Sequence, residues 1–302
     1  MIIDAHCHFW KKEWIISMMG HGIEEWAKEM GITHLDNLTD GLLDRLLQEM
    51  DHAGIDKTVI LPLDQGFIFT EKEFNFRDFN NLAGEYLKKA PDRIIAFAGI
   101  DPRRGKSGVE ELKRCVEEMG FSGLKLWTVA GFAPDDVSYY ALYEMAAKLG
   151  INILVHTGLG PSDTYLWPCQ PVRVDRIAVD FREINFIMAH AGNPWLEEAL
   201  TVALKNPNVY IDLSALQPLA LNFPVGFAQL LSQAKLMHRG VSKVLFGSDW
   251  PLFSEICPQK IWVDIIRNMT QPVPLEMMGL PALTEEDKNQ ILGLNAKRAL
   301  KL

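Results

Sequence analysis

The 302-residue sequence predicts an α/β chain folded as one (β/α)8 TIM barrel. Three observations point there. Eight short β-branched or apolar runs alternate with amphipathic segments, which implies a parallel sheet. Their starts lie between 24 residues (Asn185 to Val209) and 55 residues (Ile2 to Lys57) apart, room for a crossover helix and its loops. No G-x-G-x-x-G follows the first run, which argues against an open dinucleotide-binding sheet.

The first strand is expected at Ile2–His8, where an apolar start runs into "DAHCH". Phe9–Asn37 follows as an irregular insertion carrying Trp10, Trp14, Trp26, Met18 and Met19, and then an amphipathic helix at Leu38–Ala53. An insertion after a barrel strand lies at the catalytic end, so this one is either a lid or a packed cap or oligomer contact. "TVILPL" marks the second strand, Lys57–Leu63, with its helix at Phe76–Lys89. "IIAFAGI" marks the third, Ile94–Asp101, and Gly108–Met119 is the helix after it. The fourth strand is Gly123–Thr128 ("GLKLW") with helix Tyr139–Leu149, and the fifth is Asn152–His156 ("NILVH") with helix Val172–Phe181. "NFIMAH" gives the sixth, Asn185–His190, before helix Trp195–Lys205. The seventh is Val209–Ser214, followed by helix Phe227–Met237, and the eighth is Lys243–Ser248, followed by helix Pro258–Met269. In the tail, Thr284 reads as an N-cap with Asp287 three residues on, so a final helix should close the barrel. No linker rich in Gly, Ser or Pro divides the chain, so residues 1–302 read as a single domain.

Apolar residues make up 48% and charged residues 23% of the chain, the balance of a soluble globular protein. A net charge of -9 without a long basic run argues against nucleic acid as a partner. The chain opens without the basic and apolar regions of a signal peptide, and no segment has the apolar length to cross a bilayer, so no membrane association is expected. Cys7, Cys115, Cys169 and Cys257 are scattered, which fits a reducing cytoplasm better than a disulfide framework.

Polar residues at the C-terminal ends of barrel strands need a reason, and here they form a set. His6 and His8 lie on the first strand, Lys125 on the fourth, His156 on the fifth, His190 on the sixth, and Asp249 follows the eighth. Residues i and i+2 of a strand face the same way, so His6 and His8 can both enter the barrel, as can Lys125 and Trp127. Any one of them alone could be a hydrogen-bonded core residue or a loop cap. Burying so many imidazoles and a carboxylate together without partners is costly, whereas a divalent cation satisfies them jointly. The set therefore predicts a metal site. His52 and His238 read as surface or packing residues, and His21 in the insertion as a weaker candidate for substrate contact.

These motifs, "DAHCHFW", "LVHTG", "MAHAG" and "FGSDWP", resemble the amidohydrolase superfamily, in the branch that includes aminocarboxymuconate-semialdehyde decarboxylase. The resemblance implies a metal held by His6, His8, His156 and Asp249. His190 would be a second-metal ligand in binuclear relatives or an acid/base in mononuclear ones. Lys125 stands where some relatives carry a bridging carboxylated lysine, but one metal is usual in this branch, so an unmodified Lys125 contacting substrate or polarising the site is preferred. A homodimer is a further expectation from the resemblance.

Three neutral imidazoles and a carboxylate suit Zn2+, with Mn2+, Fe2+ or Co2+ also able to bind. Zinc brings bound water toward a pKa of roughly 7, and Asp249 would then move its proton while His190 stabilises the oxyanion or acts as the acid. Beyond the strand ends, Trp10, Trp127, Trp167, Trp250 and Phe253 are candidates for an aromatic pocket wall, beside Asp101, Arg103 and Arg104. Arg103 or Arg104 could bind a substrate carboxylate bidentately, although each reads more readily as a solvated loop arginine. The preferred activity is hydrolysis of a small carboxylate-bearing cyclic or aromatic molecule. Non-oxidative decarboxylation of an unsaturated or aromatic acid is the alternative, and a non-catalytic ligand-binding barrel comes third.

Overall fold

A computed structural model describes residues 1–19, 22–29, 31–68, 75–161, 164–237 and 240–302; of Met18, Met19 and Trp26 it describes the backbone only. His21 and His238 lie outside the described residues. The strands are β1 (Ile3–Cys7), β2 (Lys57–Ile60), β3 (Ile94–Gly99), β4 (Gly123–Leu126), β5 (Asn152–Val155), β6 (Phe186–Met188), β7 (Val209–Asp212) and β8 (Val244–Leu245). Each pairs in parallel with the next, in the order β1 to β8. The barrel closes where Ala5 N–H donates to Phe246 O at 2.9 Å and Asp249 N–H donates to His6 O at 2.8 Å.

Two apolar layers hold this ring. Ile3, Ala5, Val59, Leu61, Ile95, Phe97, Leu154, Ile187 and Leu245 fill its interior, and they meet Ala296, Ala299 and Leu300 of the C-terminal helix. The outer layer packs the opposite strand faces against the surrounding helices, with Leu46, Met50, Leu112, Ile177 and Trp262 fully or almost fully buried. Removing one such leucine costs about 2–5 kcal/mol through lost burial and the cavity left behind.

The helices between strands carry apolar residues along one side. They are α1 (Lys12–Met19), α2 (Gly22–Glu29), α3 (Leu35–Thr39), α4 (Leu43–Ala53), α5 (Phe76–Lys89), α6 (Lys106–Met119), α7 (Tyr140–Leu149) and α8 (Val172–Asp180). Then come α9 (Leu196–Lys205), α10 (Gln217–Asn222), α11 (Pro224–Leu236), α12 (Gln259–Arg267), α13 (Val273–Met277), α14 (Glu285–Asn289) and α15 (Asn295–Ala299). Thr284 caps α14 in a reciprocal box with Asp287, as expected, and the helix runs through a π-turn at Gln290–Leu294 into α15. That turn leaves the Ile291 carbonyl to accept Phe246 N–H at 2.9 Å, tying the terminal helix to β8. Among the described residues, no helix is long and apolar enough to cross a membrane.

Two expectations are corrected. The helix expected at Leu38–Ala53 is broken into α3 and α4, because Gly41 forms a β-bridge with Trp10 between them. A Cβ on Gly41 would lie 2.8 Å from Trp10 N, so only glycine fits this approach. The insertion is also more regular than expected, forming α1 and α2 with Ile15, Ile23 and Ala27 buried. It is fastened to the loop after β8 by Glu255, whose carboxylate accepts from Thr33 N–H at 2.8 Å, His34 N–H at 3.0 Å and Asn37 Nδ2 at 3.0 Å.

Candidate metal centre

His6 and Lys125 lie within β1 and β4, but the other residues that the sequence singled out lie past the strand ends. β1 ends at Cys7, β4 at Leu126, β5 at Val155, β6 at Met188 and β8 at Leu245, so His8, His156, His190 and Asp249 lie beyond the ladder. Leaving the ladder frees the backbone to aim side chains inward. His190 (φ 59°), Ala191 (φ 45°) and Asp249 (φ 56°) occupy the left-handed region, which costs a non-glycine residue about 1–3 kcal/mol. β1 carries its own irregularity. Its register with β2 shifts between Asp4 and Cys7, so Ala5 and His6 both face the interior while Asp4 and Cys7 face the outer helices.

His6 Nε2, His8 Nε2 and Asp249 Oδ1 form a triangle with 3.3 Å on each side. Metal–ligand bonds of about 2.0–2.2 Å at tetrahedral angles set neighbouring donors roughly 3.3–3.6 Å apart, so the triangle matches three corners of such a site. The tautomers agree. His6 Nδ1 donates to Asp212 Oδ2 at 2.9 Å and His8 Nδ1 donates to Leu61 O at 2.9 Å, which leaves both Nε2 atoms as bare lone pairs. Asp249 Oδ1 is buried and accepts no hydrogen bond from the described residues.

The same reasoning covers the other two imidazoles. His156 Nε2 donates to Leu159 O at 3.0 Å, and so its Nδ1 is bare. Ser214 Oγ donates to Asp212 Oδ1 and accepts from His190 Nδ1 at 2.8 Å, which leaves His190 Nε2 bare as well. These two lone pairs face each other across 3.2 Å, an arrangement that calls for a shared proton or a cation. Four imidazoles thus present unprotonated nitrogens beside an ionised carboxylate, and a divalent metal is the group that satisfies such a set. His156 does not share the tight triangle of His6, His8 and Asp249; it reaches the centre through His190, whose ring lies 5.0 Å from that of His6.

Protonation favours the same state. Burial pulls His6 down to about 3 and holds His190 and His156 below the ordinary imidazole value, His156 well below it. Burial pushes Asp212 up, but His6 and Ser214 outweigh it and hold the carboxyl at about 2. Asp249 likewise stays well below the usual carboxylate range, the neighbouring His8, His6 and His190 overcoming its burial. Lys125 is 1% exposed and its Nζ has no hydrogen-bond partner among the described residues. Burial lowers that amine to about 8, against the opposing pull of Asp212 and Asp249.

Asp212 is the residue that the sequence reading passed over. It binds His6 through one oxygen, and through the other it accepts from His190 N–H at 3.1 Å and Ser214 N–H at 3.0 Å. Its signal was present, since "YIDLS" puts a carboxylate at the C-terminal end of β7, the position that singled out Lys125 on β4.

The candidate wall residues separate into groups. Trp10 stacks behind His8 with ring centroids 6.2 Å apart and donates Nε1–H to Leu38 O at 2.9 Å. Trp127 is buried at the end of β4, while Trp167 is 49% exposed beneath the guanidinium of Arg173. Trp250 and Phe253 are buried, and Trp250 packs under Arg45 of α4, a helix on the outside of the barrel. Neither arginine is a solvated loop residue. Arg103 binds Asp101 through two hydrogen bonds of 2.9 and 2.6 Å, and Arg104 binds Asp64 through two of 3.0 and 2.8 Å. Each guanidinium fork that could have gripped a substrate carboxylate already holds one of the protein's own.

A family model described as "Amidohydrolase" matches residues 3–302. The gamma-resorcylate decarboxylase of Polaromonas sp. (strain JS666) is 30% identical over 299 residues, covering 81% of this chain and 86% of that protein. Protein fluG of Emericella nidulans and the 2-amino-3-carboxymuconate-6-semialdehyde decarboxylase of Dictyostelium discoideum match at 23% and 24% identity over 47% and 51% of this chain. The chain spans only 17% and 48% of those two relatives' lengths. Among solved structures, the dihydroxybenzoic acid decarboxylase of Polaromonas sp. JS666, with bound manganese and 2-nitroresorcinol, superposes with a TM-score of 0.67 at 19% identity. The match covers 100% of this chain and 97% of that one.

Proposed function

The chain belongs to the amidohydrolase family, and on that footing we propose that it is a metal-dependent decarboxylase of a small aromatic acid. The observation that carries this reading is the 30% identity to a gamma-resorcylate decarboxylase over 81% of the chain. Hydrolysis, the preferred activity from sequence alone, thereby becomes the second choice.

His6, His8 and Asp249 would hold the ion, with His156 completing the set through a local turn of its ring. When bound, the divalent ion supplies positive charge for the substrate carboxylate and a neighbouring oxygen. Manganese is the ion proposed first, because the Polaromonas decarboxylase structure carries it; the same nitrogen and oxygen donors also accept zinc.

The protein's own groups divide the remaining work. Lys125 offers a buried amine with no internal acceptor, so an anionic substrate oxygen can become its partner. Decarboxylation then needs a proton at the ring carbon that bears the carboxylate. Solvent water would supply that proton, and Asp249 would carry it to the carbon on its second oxygen, Oδ1 being kept for the ion. The bond to the carboxylate carbon breaks, its electron pair returns to the ring, and carbon dioxide leaves, with no oxidant or reductant required. The N–H that Asp212 holds on His6 and the Ser214 contact on His190 keep both imidazoles in one tautomer throughout.

The test is a panel of hydroxybenzoic acids, lactones and amides offered to manganese- and zinc-loaded protein, with carbon dioxide and organic products both measured. Carbon dioxide with a stoichiometric decarboxylated arene is the expected result. Turnover of a lactone or amide without carbon dioxide would return the site to hydrolysis.

A further inference from the structure

Asp4 lies outside the barrel, two residues before His6, and is fully buried. Its Oδ1 accepts His6 N–H at 3.1 Å and Ser248 N–H at 3.0 Å. Its Oδ2 accepts Gln259 Nε2 at 3.0 Å and Cys7 Sγ at 3.2 Å. One carboxylate therefore touches the backbone of a β1 metal-ligand candidate, the residue before the β8 candidate Asp249, and the first residue of α12.

We propose that Asp4 is a positioning residue for the metal centre, fixing the His6–Asp249 spacing by clamping the β1 bulge to the end of β8. The inference rests on reading the site as a metal centre. At the bulge the register with β2 slips between Asp4 and Cys7, and the His6 N–H turns to Asp4 Oδ1. β8 has only two ladder residues, so it fixes Asp249 weakly by itself. The two segments are joined by the backbone bonds Ala5 N–H to Phe246 O at 2.9 Å, Asp249 N–H to His6 O at 2.8 Å and His8 N–H to Trp250 O at 2.6 Å, and, on the other face, by the Asp4 clamp. Gly247 shows how close the segments run, since a Cβ there would lie 3.0 Å from His6 Cβ. A donor triangle with 3.3 Å sides tolerates little drift, so a clamp on both of its backbones sets metal affinity as well as stability.

The clamp works through acceptor geometry, which separates two variants. In Asp4→Asn the amide oxygen still accepts both backbone N–H groups. The new Nδ2 meets Gln259, whose Oε1 is buried without a partner and can accept it after an amide flip. In Asp4→Ala both backbone donors are left unsatisfied.

The experiment measures the dissociation constant for Mn2+ and for Zn2+ by chelator competition on metal-stripped protein, together with the melting curve of the stripped form. Asp4→Ala is expected to weaken metal binding about 10–100-fold, the usual effect of losing a group that supports ligands, while Asp4→Asn stays within about threefold of wild type. An Asp4→Ala affinity within about threefold of wild type would overturn the proposal, leaving Asp4 as a stability element only. Asp4→Asn binding as weakly as Asp4→Ala would also overturn it, since charge and not acceptor geometry would then be responsible. Should Asp4→Ala fail to fold, Asp4→Ser keeps a polar oxygen on a side chain that is too short to accept both backbone N–H groups. It should weaken binding by about threefold or more, and unchanged affinity would count against the clamp. Wild-type protein that takes up neither ion would instead sink the metal reading itself.

Discussion

Replacing Asp212 by Asn changes one atom, and the surrounding donors decide which way the new amide must point. One oxygen of Asp212 receives three hydrogen bonds, from His190 N–H, Ser214 N–H and the Ser214 hydroxyl. The other oxygen receives only the His6 Nδ1–H, at 2.9 Å. The amide oxygen of the variant side chain must stay with the three donors, so its Nδ2 faces His6. Two N–H groups cannot share that contact, and His6 shifts its proton to Nε2, the atom that points at Asp249 and His8. The variant thus loses a ligand lone pair as well as a charge-assisted hydrogen bond. Loss of such a support weakens metal binding about 10–100-fold, or roughly 1.4–2.8 kcal/mol, and the tautomer change places Asp212→Asn at the upper end. Metal content after dialysis against a graded chelator series measures the effect, and melting of the stripped protein shows that the fold survives. An Asp212→Asn affinity within about threefold of wild type would refute both the tautomer assignment and the role given to His6.

Stripping the metal from wild-type protein should lower its melting temperature by on the order of 5–10 °C, because an ion at a thousandfold excess over its dissociation constant adds about 4 kcal/mol. An unchanged melting curve would remove the metal from the folding balance. In the stripped protein the Lys125 amine titrates near 8 instead of 10.5, so the unfolded chain binds more protons between those values and stability rises with pH across that window. The gain relative to Lys125→Met is about 3 kcal/mol by pH 10.5, and a stability difference that stays flat with pH would contradict the burial of that amine. Glu255 holds its carboxyl at about 2, through Thr33 first and then Asn37 and His34, so its clasp on the insertion persists above pH 4.5 and is lost as pH falls toward 2. Glu255→Ala at neutral pH should expose Thr33–Asn37 to limited proteolysis without altering metal affinity; resistance equal to wild type would show that the insertion is held elsewhere.

The barrel was legible because its strands are short apolar runs separated by enough chain for a helix, a pattern that depends only on local sequence. The strand ends were less so. The sequence carries each strand through to its candidate site residue, to His156 or His190, whereas the ladder stops one or two residues earlier. Apolar patterning records which residues are buried, and these histidines are buried too; it does not record where a backbone turns to φ 59° to aim an imidazole. The break at Gly41 was hidden for a similar reason, since a glycine in a helical pattern reveals nothing about the Trp10 backbone 31 positions earlier that it must admit.

Supporting groups were harder to read than ligands, and Asp4, Asp212 and Arg103 show why. Ligand candidates share a residue type and a place at strand ends, so a single sequence reveals them as a set. Asp212 reaches His6 across 206 residues of chain and Asp4 reaches Ser248 across 244, separations that only barrel closure brings within a hydrogen bond. Strict alternation along β1 would even put Asp4 on the same face as His6, and the bulge is what sends it outward to α12. Arg103 fails in the opposite sense. Its type and position suited a substrate carboxylate, but Asp101, two residues away, already occupies the guanidinium. Chemistry at a strand end can therefore be assigned from sequence when the residue must face inward, while the identity of its partner waits on the fold. On that basis the unpartnered Lys125 amine is a stronger candidate for substrate contact than either arginine, because among these cations it is the one whose internal acceptor is missing.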